Sequence, residues 1–342
     1  MRVLIALLLS LGVAFGSDAV VNVYNWTGYM TPEILKQFTD QTGIKVNFST
    51  FASNDELFAK LASSDNQSSY DIVVPSANFV SRMQNLGMLE KIDHTKITGL
   101  SEINPALMNQ SFDPNNQYSI PYLWGITGVI VNRMYYPHLD LDYWKDLWNP
   151  DLKDQILMLD QMSEPFEIAV KVLGFPPNTQ NPEQIKKAYE KLVELMPNIK
   201  LFNVTAPQSI LANGDVAIGV IFNGDAYKAT QLNSNLQFIY PKEGAFIWID
   251  NMVIPKNAPH LDNAYKFINF ILQPKIAKQI TISSGFSSPN LAAIALLPKA
   301  MRDNPILYPS QAILKHASYE EDLGEANAIY EHYWFLLKLQ GQ

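Results

Sequence analysis

VVNVYNWTGYMTPEILKQFTDQTGIKVNFSTFASNDELF, residues 20–58, is the stretch on which the fold class turns. Val20–Tyr24 is an apolar run of strand length and reads as a buried strand. Thr31-Pro32-Glu33 then starts a helix, with Thr31 at the N-cap and Pro32 at the first helical position. Ile34, Leu35 and Phe38 give that helix its apolar stripe, and Gly43 ends it. Ile44–Phe51 alternates and predicts a strand. Ser53-Asn54-Asp55-Glu56 is a capping-box start to a second helix carrying Leu57, Phe58 and Leu61. Tyr70–Val74 supplies the next strand, closed by Pro75-Ser76, and a helix is expected from about Asn78. Strand alternating with helix in this way is the pattern of an open α/β layer.

Further along, 93–122 reads as irregular and rich in Asn and Pro, and 125–132 as a strand. Strands are predicted at 156–159, 216–222, 236–240 and 245–254. Helices are predicted at 164–173, 182–195, 206–213, 261–272, 275–283 and 326–339. Domain crossovers are expected near Gly125 and Asp250. They divide the chain into one lobe of 17–125 with 250–295 and a second of 126–249 with 296–342. Two α/β layers that exchange strands leave a cleft between them, a common place for a ligand.

The first residues carry one arginine, an apolar run of signal-peptide length and small residues at Ala14 and Gly16. This predicts a signal peptide over 1–16, with cleavage after Ala19 as the alternative. No other run approaches membrane-spanning length, so no membrane insertion is expected. The chain has no cysteine, which removes a lipid-anchored cysteine, thiol catalysis and thiolate metal sites. Export without a lipid attachment point predicts a free periplasmic protein. A formal net charge of −8 argues against nucleic acid as a partner. The five histidines show no ligand spacing, and no nucleophile elbow, P-loop or dinucleotide fingerprint is present. No cofactor, no metal and no catalytic residue is expected.

Phe246-Ile247-Trp248-Ile249-Asp250 carries the chemistry. On a strand, Trp248 and Asp250 face the same way. An indole face attracts cations and a carboxylate supplies the countercharge, so the pair forms half of a cage for an organic ammonium. An isolated Trp-x-Asp is ordinarily a core tryptophan beside a turn residue. The second aromatic cluster, Tyr24-Asn25-Trp26-Thr27-Gly28-Tyr29, and Glu164 at an apolar helix start favour the cage.

Four further stretches add to these: Tyr70-Asp71-Ile72-Val73-Val74-Pro75-Ser76, Tyr118-Ser119-Ile120-Pro121-Tyr122-Leu123-Trp124-Gly125, Pro241-Lys242-Glu243-Gly244 and Ser288-Pro289-Asn290-Leu291-Ala292-Ala293. Their order and spacing from Val21 to about Lys338 resemble the periplasmic spermidine/putrescine-binding proteins of ABC transporters. The resemblance implies a two-lobed periplasmic-binding-protein fold of type II, closing on a polyamine and docking on an inner-membrane ABC permease, with a monomer expected. It puts Trp26 and Tyr29 on the ligand, with Thr27 and Ser76 as polar neighbours. It makes Glu164 a carboxylate for one ammonium, Trp248 a stacking wall and Asp250 the central counterion. Phe222 and Phe286 stand where the family usually has Trp and Tyr. Gln161 replaces a common Asp, Asn78 a common Tyr, and Glu320 a Gln. One charge is thus lost at Gln161 and one gained at Glu320, which leaves the choice between putrescine and spermidine open. The rival readings are a receptor for another organic cation, such as thiamine or a quaternary amine, and an enzyme on the same scaffold.

Overall fold

The computed structural model describes residues 19–63 and 69–340; the expected signal segment 1–16 lies outside them. The elements run β1 (Val20–Trp26), α1 (Pro32–Thr42), β2 (Lys45–Phe51), α2 (Asn54–Ala62), β3 (Ile72–Val73) and α3 (Ala77–Asn85). Next come β4 (Ser119–Asn132), β5 (Ile156–Met158), α4 (Ser163–Val172), α5 (Pro182–Leu195), β6 (Ile199–Phe202) and α6 (Pro207–Asn213). β7 (Ile218–Phe222), α7 (Asn223–Leu232), β8 (Leu236–Ile239) and β9 (Phe246–Val253) follow. The chain closes with α8 (Leu261–Ile271), α9 (Pro274–Ser284), the short helices α10 (Leu291–Ala295), α11 (Lys299–Arg302) and α12 (Gln311–Leu314), β10 (Ser318–Tyr319) and α13 (Asn327–Gln340).

The hydrogen-bonded path is β2-β1-β3-β9-β4-β7-β5-β6, with β10 on β9 and β8 on β4. β1 pairs in parallel with β2 and β3, as right-handed β-α-β units require. β5 pairs in parallel with β6 and β7 at the other end. Two long buried strands join these parallel parts. β4 pairs with β9 over Ser119–Thr127 and with β7 and β8 over Thr127–Asn132. β9 reaches β3 at Val253 and β10 at Phe246 and Ile247. The strand expected at 125–132 therefore starts earlier, at Ser119. Pro121 made that stretch look irregular. A register shift between Pro121 and Leu123 accommodates it, since proline has no N–H to give to the ladder.

Apolar side chains separate by face and by end. Val21, Val23, Phe38, Ile72 and Phe267 pack on one side of the β1–β3 end, and Tyr24, Phe51, Val73 and Leu57 on the other. Trp144, Phe166, Leu192 and Val220 form the core under α4, α5 and α13, while Leu211, Ile221 and Ala226 pack beneath α6 and α7. No helix among the described residues is long and apolar enough to cross a membrane.

Capping follows the sequence in part. Ser53 accepts from the Glu56 N–H at 3.1 Å, but the Glu56 carboxylate reaches the Ala52 N–H rather than that of Ser53. Thr31 sits at the N-cap in extended backbone without a cap hydrogen bond, and Gly43 ends the helix at φ +71°. α3 starts at Ala77 and its N-cap is Ser76, whose hydroxyl also makes no cap bond. That hydroxyl is committed to Asp250.

Candidate functional site

β9 places Trp248 and Asp250 on one face, as the alternation requires. Asp250 is 2% exposed. Its Oδ2 accepts from the Tyr29 hydroxyl at 2.6 Å and its Oδ1 from the Ser76 hydroxyl at 2.6 Å. Tyr29 comes from the loop after β1 and Ser76 from the turn after β3, so the connections following two strands on the same side of β9 hold one carboxylate. Burial raises the Asp250 carboxyl to about 6, against the opposing pull of the Ser76 and Tyr29 hydrogen bonds. Burial also pushes the Tyr29 phenol well above its ordinary value, keeping it a donor.

Aromatic rings run outward from this carboxylate. Trp248 meets Phe222 edge-on at 5.5 Å between centroids and Phe286 at 5.3 Å. Phe286 lies 5.4 Å from Tyr29, and Tyr29 lies 6.2 Å from Trp26. These five rings come from β1 and its loop, β7, β9 and the segment after α9. Two glycines make the arrangement possible. A Cβ on Gly125 would lie 2.2 Å from the Trp248 ring and 2.5 Å from the Asn223 side chain. A Cβ on Gly224 would lie 2.3 Å from the Phe286 ring.

Further acids lie within electrostatic reach of Asp250. Glu164, in the first turn of α4, is 2% exposed and accepts from the Ser163 hydroxyl at 2.8 Å. Burial raises its carboxyl to about 7. Glu320 follows β10 and is 9% exposed. Burial pushes its carboxyl well above the carboxylate range, and the nearby negative charges of Glu164, Asp250 and Glu167 add to the effect. Among the described residues, no lysine or arginine pairs with Asp250, Glu164 or Glu320. Buried carboxylates whose charges act on Glu320, with aromatic rings beside Asp250, favour a cationic, partly apolar guest.

The expected residues are therefore not all placed alike. Trp26, Tyr29, Phe222, Trp248 and Phe286 join in one line of rings, with Ser76 and Asp250 beside it. The Glu164 charge acts on Glu320. Asn78 and Glu320 line one cavity with Ser163. Gln161 is half-buried in the turn before α4 and is absent from that lining. Thr27 is exposed, and its hydroxyl donates to the Phe51 carbonyl at 3.1 Å. Asp71, read as structural, accepts from the Asn22 N–H and from the His260 N–H.

Three residues near the site escaped the sequence reading. Glu167, one turn after Glu164 on α4, is buried, and burial raises its carboxyl to about 7. Asp225, in the first turn of α7, is raised to about 6 by burial, and its charge acts on Tyr29. Asn223 is fully buried, accepts from the Ile126 N–H at 3.1 Å and donates to the Ile306 carbonyl at 2.9 Å. The i, i+3 spacing of Glu164 and Glu167 on an otherwise apolar helix was the available signal for Glu167.

Residues 33–309 match the family model described as a bacterial extracellular solute-binding protein. The chain belongs to this solute-binding family. The spermidine/putrescine-binding periplasmic protein of Salmonella typhimurium is 41% identical over 334 residues, covering 97% of this chain and 96% of that protein. The putrescine-binding periplasmic protein of Pseudomonas aeruginosa is 33% identical over 336 residues, covering 92% of this chain and 91% of its own. Among solved structures, the spermidine/putrescine ABC transporter substrate-binding protein of Streptococcus pneumoniae superposes with a TM-score of 0.81 at 36% identity, covering 94% of this chain and 99% of that one. The fold of this solute-binding protein is thus that of the periplasmic binding proteins, as the sequence resemblance implied.

Proposed function

We propose that the protein is a periplasmic receptor that binds a polyamine and delivers it to an inner-membrane ABC permease. The observation that carries this is Asp250: a buried carboxylate that accepts from two hydroxyl donors, is flanked by aromatic rings and acts through its charge on Glu320. Rings bury methylenes, at about 0.8 kcal/mol each. Carboxylates meet ammonium groups that stay protonated at neutral pH. The relatives named above bind spermidine and putrescine, or putrescine, which supports the same ligand class here.

We assign residues 1–16 to a cleavable signal peptide and the two lobes to 17–125 with 250–295 and 126–249 with 296–342. β4 and β9 then form the connecting strands, and hinge closure over the ligand is the transport-competent step. The protein acts as a monomeric receptor and not as an enzyme. Trp26, Tyr29, Phe222, Trp248 and Phe286 wall the ligand, Asp250 and Glu164 hold ammonium groups, and Glu320 supplies the charge that Gln161 lacks. Thr27, Ser76 and Asn78 are polar neighbours.

Calorimetric titration of the mature protein with putrescine, spermidine, thiamine and choline tests the reading. Saturable one-site binding of a polyamine, with thiamine and choline weaker, is expected. Tighter binding of thiamine or choline would assign the site to another organic cation.

A further inference from the structure

A cavity adjoins Glu164. Ser163, whose hydroxyl donates to Glu164, lines it together with Asn78, Glu167, Asn178, Glu320 and Tyr330. Two of these are carboxylates, 6% and 9% exposed. Glu167 is only half satisfied. Its Oε1 accepts from the Asn178 N–H at 2.8 Å, while its Oε2 is buried without a hydrogen-bond partner. A buried, open carboxylate oxygen is costly, and a cationic donor would relieve that cost.

Among the described residues no donor bonds that oxygen, although the Lys171 charge acts on Glu167. Lys171 lies one turn on along α4, but its ammonium sits over the Phe246 ring at 5.0 Å. Among the described residues it makes no ion pair with Glu167. Glu321 also lines the cavity and adds its negative charge beside Glu167, while its carboxylate accepts from the Ser111 hydroxyl at 2.9 Å. Asn178 organises the cavity from a left-handed backbone, φ +54°. Its side chain donates to the Tyr319 carbonyl at 3.0 Å and accepts from the Glu321 N–H at 3.1 Å, gripping both neighbours of Glu320. One residue therefore fixes both acids. No group of three or more acids, histidines or cysteines able to hold a metal is found among the described residues. The cavity instead has the Phe166 and Tyr330 rings in its wall, 5.1 Å apart. Acceptors beside rings suit an organic ammonium.

We infer that Glu167 and Glu320 form a further ammonium-binding subsite, next to Glu164, that takes the far end of a linear polyamine longer than a diamine. The inference rests on the receptor reading above. Glu167→Gln is the discriminating variant. The amide oxygen can still accept from Asn178, whereas the free carboxylate oxygen becomes an NH2 that cannot accept from an ammonium. Parent and variant are titrated calorimetrically with putrescine, spermidine and calcium chloride, and their unliganded melting temperatures are compared. Spermidine affinity should fall by about tenfold or more in the variant. Putrescine affinity should stay within about twofold. Unchanged spermidine affinity, or equal losses for both amines in a variant that melts like the parent, would overturn the subsite. Saturable calcium binding that the variant abolishes would reassign it to a metal. A parent that binds neither amine would instead fail the receptor reading, a result separable from loss of the spermidine preference alone.

Discussion

Asp250 has two oxygens, each facing a hydroxyl 2.6 Å away. Asparagine keeps one acceptor and turns an NH2 toward the other hydroxyl and toward any ammonium. Asp250→Asn should therefore be the most damaging conservative change to polyamine binding. A buried ammonium left without its partner loses about 3–5 kcal/mol, or roughly two to four decades of affinity. The unliganded protein should not suffer in the same way, because burial already disfavours the charge on Asp250. Calorimetry read beside thermal melts checks both halves: unchanged affinity would remove Asp250 from the site. Trp248→Leu should weaken binding less, since leucine replaces burial but has no ring face to attract a cation. A titration in which Trp248→Leu costs more than Asp250→Asn would reverse the assigned roles.

At the scale of the elements, the glycines under the rings bear on both stability and binding. Alanine at Gly125 would bring a methyl into the Trp248 ring and the Asn223 side chain. Overpacking of this kind costs about 1–3 kcal/mol. Gly125→Ala should therefore lower both stability and polyamine affinity, as thermal melts and calorimetry would show. Asn181→Ala is the matching control. Asn181 caps α5 by accepting from the Glu183 and Gln184 N–H groups, remote in sequence and contact from the rings. It should cost about 1 kcal/mol of stability and leave affinity alone.

Legibility followed local chemistry. Thr31-Pro32 and Gly43 bracket α1 as read, and Pro182–Leu195 appears as a helix over that same range. α7 was not legible, because Asn223-Gly224 looks like a turn. The structure needs that glycine for Phe286 and that asparagine for Ile126, so tertiary demands wrote a turn signal into a helix start. β10, two residues long, has no periodicity to read, yet it sets the backbone before Glu320. The aromatic residues and Asp250 were legible as a set through strand alternation and family resemblance. Glu167 was not, because burial and an unfilled oxygen are properties of the packed helix and not of its sequence.

For the molecule as a whole, the buried acids link pH to both stability and binding. Glu164 and Glu167 rise to about 7 and Asp250 to about 6 in the folded protein, in each case chiefly through burial. Unfolded, the same groups titrate near 4. The folded state thus holds more protons between these limits, so unliganded stability falls as pH rises from about 4 through about 7. Ligand ammonium groups favour the ionised acids, so binding releases protons and affinity should rise over the same interval. The thermal shift produced by spermidine should therefore grow from pH 5 to pH 8. A shift that shrinks over that interval would mean that these acids do not meet the ligand.

The most direct test of the central claim is native mass spectrometry of the mature protein, purified without refolding and then supplied with spermidine. The account predicts a single adduct with the mass of one polyamine, retained on gentle desalting and lost in Asp250→Asn. A protein that carries no polyamine under these conditions, or an adduct that Asp250→Asn holds as firmly as the parent, would contradict it.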